Sequence, residues 1–233
     1  MGDFVASILG KSIRNIGRRP LWEKKKSGME YSLFDPQGRR KYLVPSERIA
    51  FLRAAISVGG ETATFCSVLM ATGARVSETL ALAPKDLDEP NGTINIETLK
   101  RRKKGVIRAV PVPQQLFHHL ESVHHWRAAK RQPISAPRQR LWTFSRSTAW
   151  RRAKMIAELA DLPPWLRTPK ALRHAFAVDA RIKEVPIELI QRCLGHARIQ
   201  TTFIYTTVLG AEQRDFVRRT WEGIDELLGC APQ

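Results

Sequence analysis

From Ser46 onward, apolar residues recur at helical spacing along nearly the whole chain, and one stretch breaks the pattern. That stretch is "TINIETL" and "VIRAVPV", two β-prone runs joined by "KRRKKG". It reads as an antiparallel hairpin with a strongly cationic tip. Ser46 is placed to cap "ERIAFLRAAI", in which Ile49, Leu52 and Ile56 recur at helical spacing. "ETATFCSVLMATG" is more apolar, reads as a buried helix and stops at Gly73. "ARVSETLAL" opens a short helix. "QQLFHHLESVHHWRAAK", "STAWRRAKMIAELA", "KALRHAFAVDARIKE" and "PIELIQRCL" follow as helices, punctuated by Pro163, Pro164, Pro169 and Pro186. "GAEQRDFVRRTWEGIDELL" ends the series as an amphipathic helix. The expected fold class is mainly α with a small antiparallel β-sheet, an α+β arrangement.

Residues 1–45 read differently. "RNIGRRPLWEKKKSG" is basic and has no helical period, so it reads as an arm; "YSLFDPQGRRKYLV" reads as a short hairpin around an Asp-Pro-Gly turn. The division expected is a basic arm with its hairpin over 1–45 and the main domain over 46–233. A formal charge of +17 on 233 residues repels itself in a folded chain, and a polyanion would relieve that repulsion. Nucleic acid, bound with a steep salt dependence, is the partner this predicts. Cys66, Cys193 and Cys230 form no CxxC pair, which fits a reducing compartment rather than a disulfide framework. No apolar run approaches the roughly 20 residues of a membrane span. "MGDFVASILGKSIRN" has an acid where a signal peptide is basic, so the expected setting is cytoplasmic, without a membrane partner.

Three stretches carry chemistry. In "TPKALRHAFA", Lys170, Arg173 and His174 stand at helical i, i+3 and i+4, a cationic cluster that repels itself unless an anion sits within it. In "TGARVSE", Arg75 follows an apolar helix and a glycine, and Glu78 lies three residues on, placed to orient its guanidinium. Arginine reads phosphate through two parallel donors. In "LGHARIQTTFIYTTV", Tyr205 lies nine positions after His196 and is one of only three tyrosines. A histidine, two arginines and a tyrosine hydroxyl suit attack on a phosphodiester.

These three motifs, in this order, resemble those of the tyrosine recombinase (phage integrase) family. The resemblance spans about residues 46–210 and implies that family's catalytic domain. It implies Arg75 and Arg173 as the two phosphate-clamping arginines, His196 as a phosphate donor and Tyr205 as the nucleophile. The tyrosine becomes joined to the 3′ phosphate, a 5′ hydroxyl departs, and the strand can be resealed to another partner without ATP or metal. The resemblance also implies a hairpin lysine that protonates the leaving oxygen. Counting back from Pro111, Lys103 stands at the family's spacing, with Lys104 the runner-up and Lys100, Arg101 and Arg102 left to grip the DNA backbone.

The sequence departs from the family in two places. Lys170 stands where most members have histidine; lysine donates to phosphate but does not readily accept a proton near neutral pH. Residues 1–45 are too short for the separate core-binding domain that most members carry. The activity implied by the resemblance is site-specific strand breaking and rejoining of double-stranded DNA, as in integrases of mobile elements, by a homotetramer on paired DNA sites. A type IB topoisomerase-like enzyme and a truncated, non-catalytic DNA-binding module are the rivals. No cofactor is expected. His118, Glu121 and His125 could share a helix face as a metal site does, but solvated residues are the commoner outcome of that spacing.

Overall fold

The computed structural model describes residues 32–99, 105–131 and 139–207. The N-terminal arm, the hairpin tip with Lys100, Arg101, Arg102, Lys103 and Lys104, and the expected final helix lie outside the described residues.

The first helix, α1, runs Pro45–Val58. Its start is not capped by Ser46. Pro45 suits the first helical position, because its ring fixes φ and it has no N–H to leave unsatisfied. The helix therefore begins two residues earlier than expected, with Val44 in place of Ser46 at the cap position, and the Glu47 carboxylate reaches back to accept the Val44 N–H at 2.9 Å. The same carboxylate holds Arg40 through two 2.6 Å bonds. This ties the Asp35–Arg39 turn, closed by the single bridge between Phe34 and Arg40, to the body of the domain. Leu33 and Leu43 from this segment are buried.

Helix α2, Gly60–Thr72, is the central helix, buried over most of its length as its composition predicts. Phe65 meets Trp142 edge-on at 5.4 Å, and the Trp142 indole N–H donates to Thr64 at 3.2 Å. The helix stops at Gly73, in the left-handed region at φ +61. The short helix α3, Val76–Thr79, follows at once.

The sheet has three antiparallel strands in the order β1 (Leu87–Asp88), β2 (Thr93–Glu97) and β3 (Ile107–Pro111). β2 and β3 are the expected hairpin; β1 pairs on its far side through Leu87 and Ile94. Ile94 and Ile96 face inward, opposite Val110 and Arg108. The one helix expected after the sheet is two, α4 (Gln114–His124) and α5 (Trp126–Lys130). His125 breaks it at φ 48, and the turn drives Trp126 into the core, where its indole donates to Phe117 O at 3.3 Å. Glu121 accepts the Arg127 N–H at 2.9 Å, so its carboxylate serves this turn.

Three helices complete the described domain: α6 (Arg146–Leu159), α7 (Pro169–Ile182) and α8 (Ile187–Leu194). Thr168 caps α7 by accepting the Ala171 N–H at 3.2 Å. α8 ends at Gly195, again left-handed at φ +66. The main core lies around α2 and the sheet, and a second apolar cluster joins Leu33, Val178, Ile190, Leu194 and Tyr205. The expected fold class holds. No helix among the described residues is long and apolar enough to cross a membrane.

A Cβ on Gly73 would stand 2.8 Å from Phe176 Cδ1 on α7, in a backbone conformation that L-residues avoid. Gly73→Ala is therefore expected to destabilise the domain by about 2–5 kcal/mol, the sum of the left-handed penalty and overpacking. Urea unfolding measures it, and an unchanged midpoint would contradict this account of the α2–α7 contact.

Candidate active site

The loop after α2 presents Arg75, and the loop after α8 presents His196. Between them stands Arg173 on α7. One of its terminal nitrogens donates to Gly73 O and the other to Leu194 O, both at 2.7 Å. The two carbonyls lie at the ends of α2 and α8, where helices leave their last C=O groups without partners. A buried guanidinium thus joins two segments, one 100 residues before it and the other 21 residues after it. Burial first, and then the charge of Arg75, lower the Arg173 pKa to about 9, and no carboxylate bonds to it.

Arg75 is held by Glu78. The Glu78 carboxylate accepts the Arg75 backbone N–H at 3.0 Å and its guanidinium at 2.7 Å, which leaves Arg75 28% exposed. Glu78 is itself almost wholly buried. Burial pushes its carboxyl up, but the Arg108 charge and the Arg75 N–H outweigh that and hold it below the usual range.

Arg108 is the residue that sequence reasoning missed. From the inner face of β3 its guanidinium donates to Glu78 Oε2 at 2.7 Å, Thr98 Oγ1 at 2.9 Å and Cys193 O at 2.7 Å. It ties the base of the hairpin to the Arg75 segment and to the end of α8. A Cβ on Gly195 would lie 3.0 Å from both Arg108 Nη1 and Thr98 Oγ1, so the glycine before His196 makes room for this contact. The signal was present: in "IRAVP" strand alternation that buries Val110 buries Arg108 too, and a buried arginine needs partners.

His196 Nδ1 and Thr202 Oγ1 are 2.9 Å apart. A Thr202 hydroxyl donating to Nδ1 leaves Nε2 as the N–H, the donor an oxyanion needs. Burial, then the charges of Arg173 and Arg75, hold the His196 pKa down at about 3. The imidazole also lines a polar cavity of about 360 Å³ with Thr98, Arg108, Gln191 and Arg192.

Tyr205 closes the group. Its ring is 1% exposed and its hydroxyl is 2.9 Å from His174 Nδ1. Burial pushes the phenol up to about 12, against the opposing pull of Arg173 and Arg75. Of the cationic cluster expected on α7, Arg173 and His174 turn inward and Lys170 stays exposed. The structure therefore brings Arg75, Glu78, Arg173, His174, His196 and Tyr205 into one neighbourhood, with Lys170 at its margin.

Replacing Arg108 by Met removes three hydrogen bonds and strips the buried Glu78 of one of its two cations. The expected cost is about 3–5 kcal/mol, as when one partner of a buried pair is deleted. Arg108→Lys keeps the charge but cannot span three acceptors, and should recover only part of the loss. Equal stability of the Met and wild-type chains in urea would show that Arg108 contributes nothing net.

The chain has relatives among known proteins. The phage integrase family model matches residues 45–212. Tyrosine recombinase XerA of Pyrococcus furiosus is 32% identical over 155 residues, which cover 65% of this chain and 52% of the relative. Tyrosine recombinase XerD of Shewanella oneidensis is 32% identical over 153 residues, 64% of this chain and 49% of the relative. The chain thus spans about half the length of these curated relatives. Among solved structures, that of XerA recombinase aligns with a TM-score of 0.59 and 28% identity, over 78% of this chain and 64% of the other. The catalytic domain of bacteriophage HP1 integrase shares the fold, with a TM-score of 0.53 and 20% identity over 82% of this chain and 98% of that domain. With its family match across more than half its length and its fold shared with these enzymes, the chain belongs to the phage integrase family.

Proposed function

We propose that this chain is a site-specific DNA recombinase that cuts and rejoins duplex DNA through a 3′-phosphotyrosine intermediate, with residues 46–233 as its catalytic domain and residues 1–45 as a basic arm. The observation that carries the reading is the junction at Arg173, whose bonds to Gly73 O and Leu194 O draw the Arg75 and His196 segments together, with Tyr205 held beside it by the His174 contact. A tyrosine hydroxyl is ionised in only about one molecule in a thousand at neutral pH, so it needs a positioned phosphate and stabilised charge. Arg75 and Arg173 clamp the non-bridging oxygens, and His196 and Lys170 donate to the same phosphate. Tyr205 attacks phosphorus, and Lys103 protonates the departing 5′ oxygen. Lys100, Arg101, Arg102 and Lys104 hold the DNA backbone. Neither metal nor cofactor enters this reaction.

A nicked suicide duplex tests the assignment. Tyr205→Phe should bind DNA as the wild type does and form no covalent adduct on a denaturing gel. Lys103→Ala should cut normal DNA about 10²–10⁴-fold more slowly, because a general acid is lost. On DNA with a bridging 5′ sulfur, which leaves without a proton, it should cut at nearly the wild-type rate. An adduct in the Phe variant, or rescue of Lys104→Ala instead, would move the nucleophile or the acid to another residue.

The same reading includes a homotetramer on paired DNA sites. Supporting it is an apolar groove of about 580 Å³ lined by Leu52 and Ile56 of α1, Met70 of α2, and Phe176, Val185 and Ile190. Its occupant is the amphipathic segment 210–228 of a neighbouring copy, which carries Phe216, Val217, Trp221, Ile224, Leu227 and Leu228. Ending the chain after Thr207 should leave cleavage of a single nicked site and abolish joining between two sites. Unimpaired joining would overturn this assembly.

A further inference from the structure

We infer that His174 is the proton acceptor for the nucleophile: as Tyr205 attacks, its hydroxyl proton passes to His174 Nδ1. The inference rests on the recombinase reading above and adds a residue to it.

The first observation is geometric. A general base must lie within hydrogen-bond reach of the proton it takes. His174 Nδ1 stands 2.9 Å from Tyr205 Oη, and the two rings pack with centroids 5.8 Å apart. The second is the direction of that bond. His174 Nε2 is buried with no partner among the described residues. If Nδ1 carried the proton, the Tyr205 O–H and Nε2 would both lack partners. With the proton on Nε2, the tyrosine donates to the bare Nδ1 and one group alone is left over. The tautomer with fewer orphans is the one that accepts.

The third concerns what else could serve. Lys170, one helical turn before His174, is exposed and forms no hydrogen bond with Tyr205 among the described residues. Arg173, the preceding residue on the same helix, offers donors only. The phosphate clamp and the acceptor are therefore fixed relative to each other by one rigid element.

The cations facing His174 are Lys170 and Arg173 of α7 and Lys41 from the segment ahead of α1. Burial first and then these charges depress its pKa to about 4. An arriving phosphodiester neutralises that repulsion, so the imidazole gains basicity when substrate is bound. Tyr205 Oη–H breaks, Nδ1 gains the proton, the oxygen's electron pair forms the bond to phosphorus, and the P–O5′ bond breaks with O5′ protonated by Lys103.

The test is single-turnover adduct formation on the suicide duplex across a range of pH. In His174→Asn, Oδ1 stands in for Nδ1 as acceptor but cannot take a proton. The variant should bind DNA normally and react about 10²–10⁴-fold more slowly near neutrality. Its rate should then climb in proportion to hydroxide, while the wild type levels off. A variant with the wild-type rate and profile would show that the bond merely positions the tyrosine, and a faster one that it restrains it; both overturn the proposal, as does a rate that hydroxide does not restore. Should the variant fail to fold, the ¹⁵N imidazole spectrum of the wild type decides. Bare Nδ1 with protonated Nε2 supports the assignment, and the reverse overturns it. A wild-type chain that forms no adduct at all overturns the recombinase reading, a failure distinct from any of these.

Discussion

A guanidinium held by two backbone carbonyls organises this domain. Arg173 is nearly buried, bonds to Gly73 O and Leu194 O, and has no carboxylate on it. Arg108, as deeply buried, has Glu78. The contrast separates two kinds of arginine on physical grounds. Arg108 is neutralised within the fold and acts as a tie between hairpin, α3 and α8. Arg173 is bonded to carbonyls alone, with Glu78 acting on it only from a distance, where desolvation makes its charge costly. A fold that retains such a group leaves a place for an anion, which is what the proposed phosphate clamp requires.

The ends of helices supply what both arginines need. α2 and α8 each stop at a left-handed glycine, Gly73 and Gly195. Such a stop turns the chain sharply and leaves carbonyls of the last turn free, at the end of the helix where the dipole is negative. Gly73 O, Cys193 O and Leu194 O are carbonyls of this kind, and each takes an arginine N–H. Arg75 comes two residues after one stop and His196 one residue after the other. Termination of a helix, housing of a buried cation and presentation of a site residue are thus one local event, repeated twice.

Much of this was legible in the sequence. The stops at Gly73 and Gly195, the hairpin and the helical pattern of α7 depend on local signals, and so do the motifs holding Arg75, Glu78, Arg173, His196 and Tyr205. What escaped depends on distant partners or on competition between neighbours. Strand β1 is two residues long and exists only as a partner for β2. Ser46 lost the cap because Pro45 and Glu47 together satisfied the helix start better. His125 breaks a helix its neighbours would continue, because Trp126 gains burial in exchange. Arg108 looked like one more cation in a basic hairpin until the register set it opposite Ile96, facing the core. The contact between His174 and Tyr205 spans 31 residues and cannot be read from helical spacing alone.

The charge state of the site constrains how the tyrosine can be activated. With no DNA, Arg173 and Arg75 pull the Tyr205 pKa down, though burial wins and leaves it near 12. On the recombinase reading, a bound phosphodiester places negative charge between those arginines and cancels their help, so ionisation in advance becomes less favourable as substrate arrives. The same charge acts oppositely on the histidines, whose depressed pKa values, about 4 for His174 and about 3 for His196, owe part of their shift to the cations. Substrate therefore makes the phenol harder to ionise alone and its neighbouring imidazole a better base. Under those conditions the proton is best lost during attack, to a group already in contact with it. His196, whose Nδ1 faces the Thr202 hydroxyl, keeps Nε2 as a donor when that hydroxyl gives its proton to Nδ1. The two buried histidines, similar in burial and both neutral, thus differ in the hydroxyl that each one meets, and on the proposed reading that difference sets them to opposite tasks.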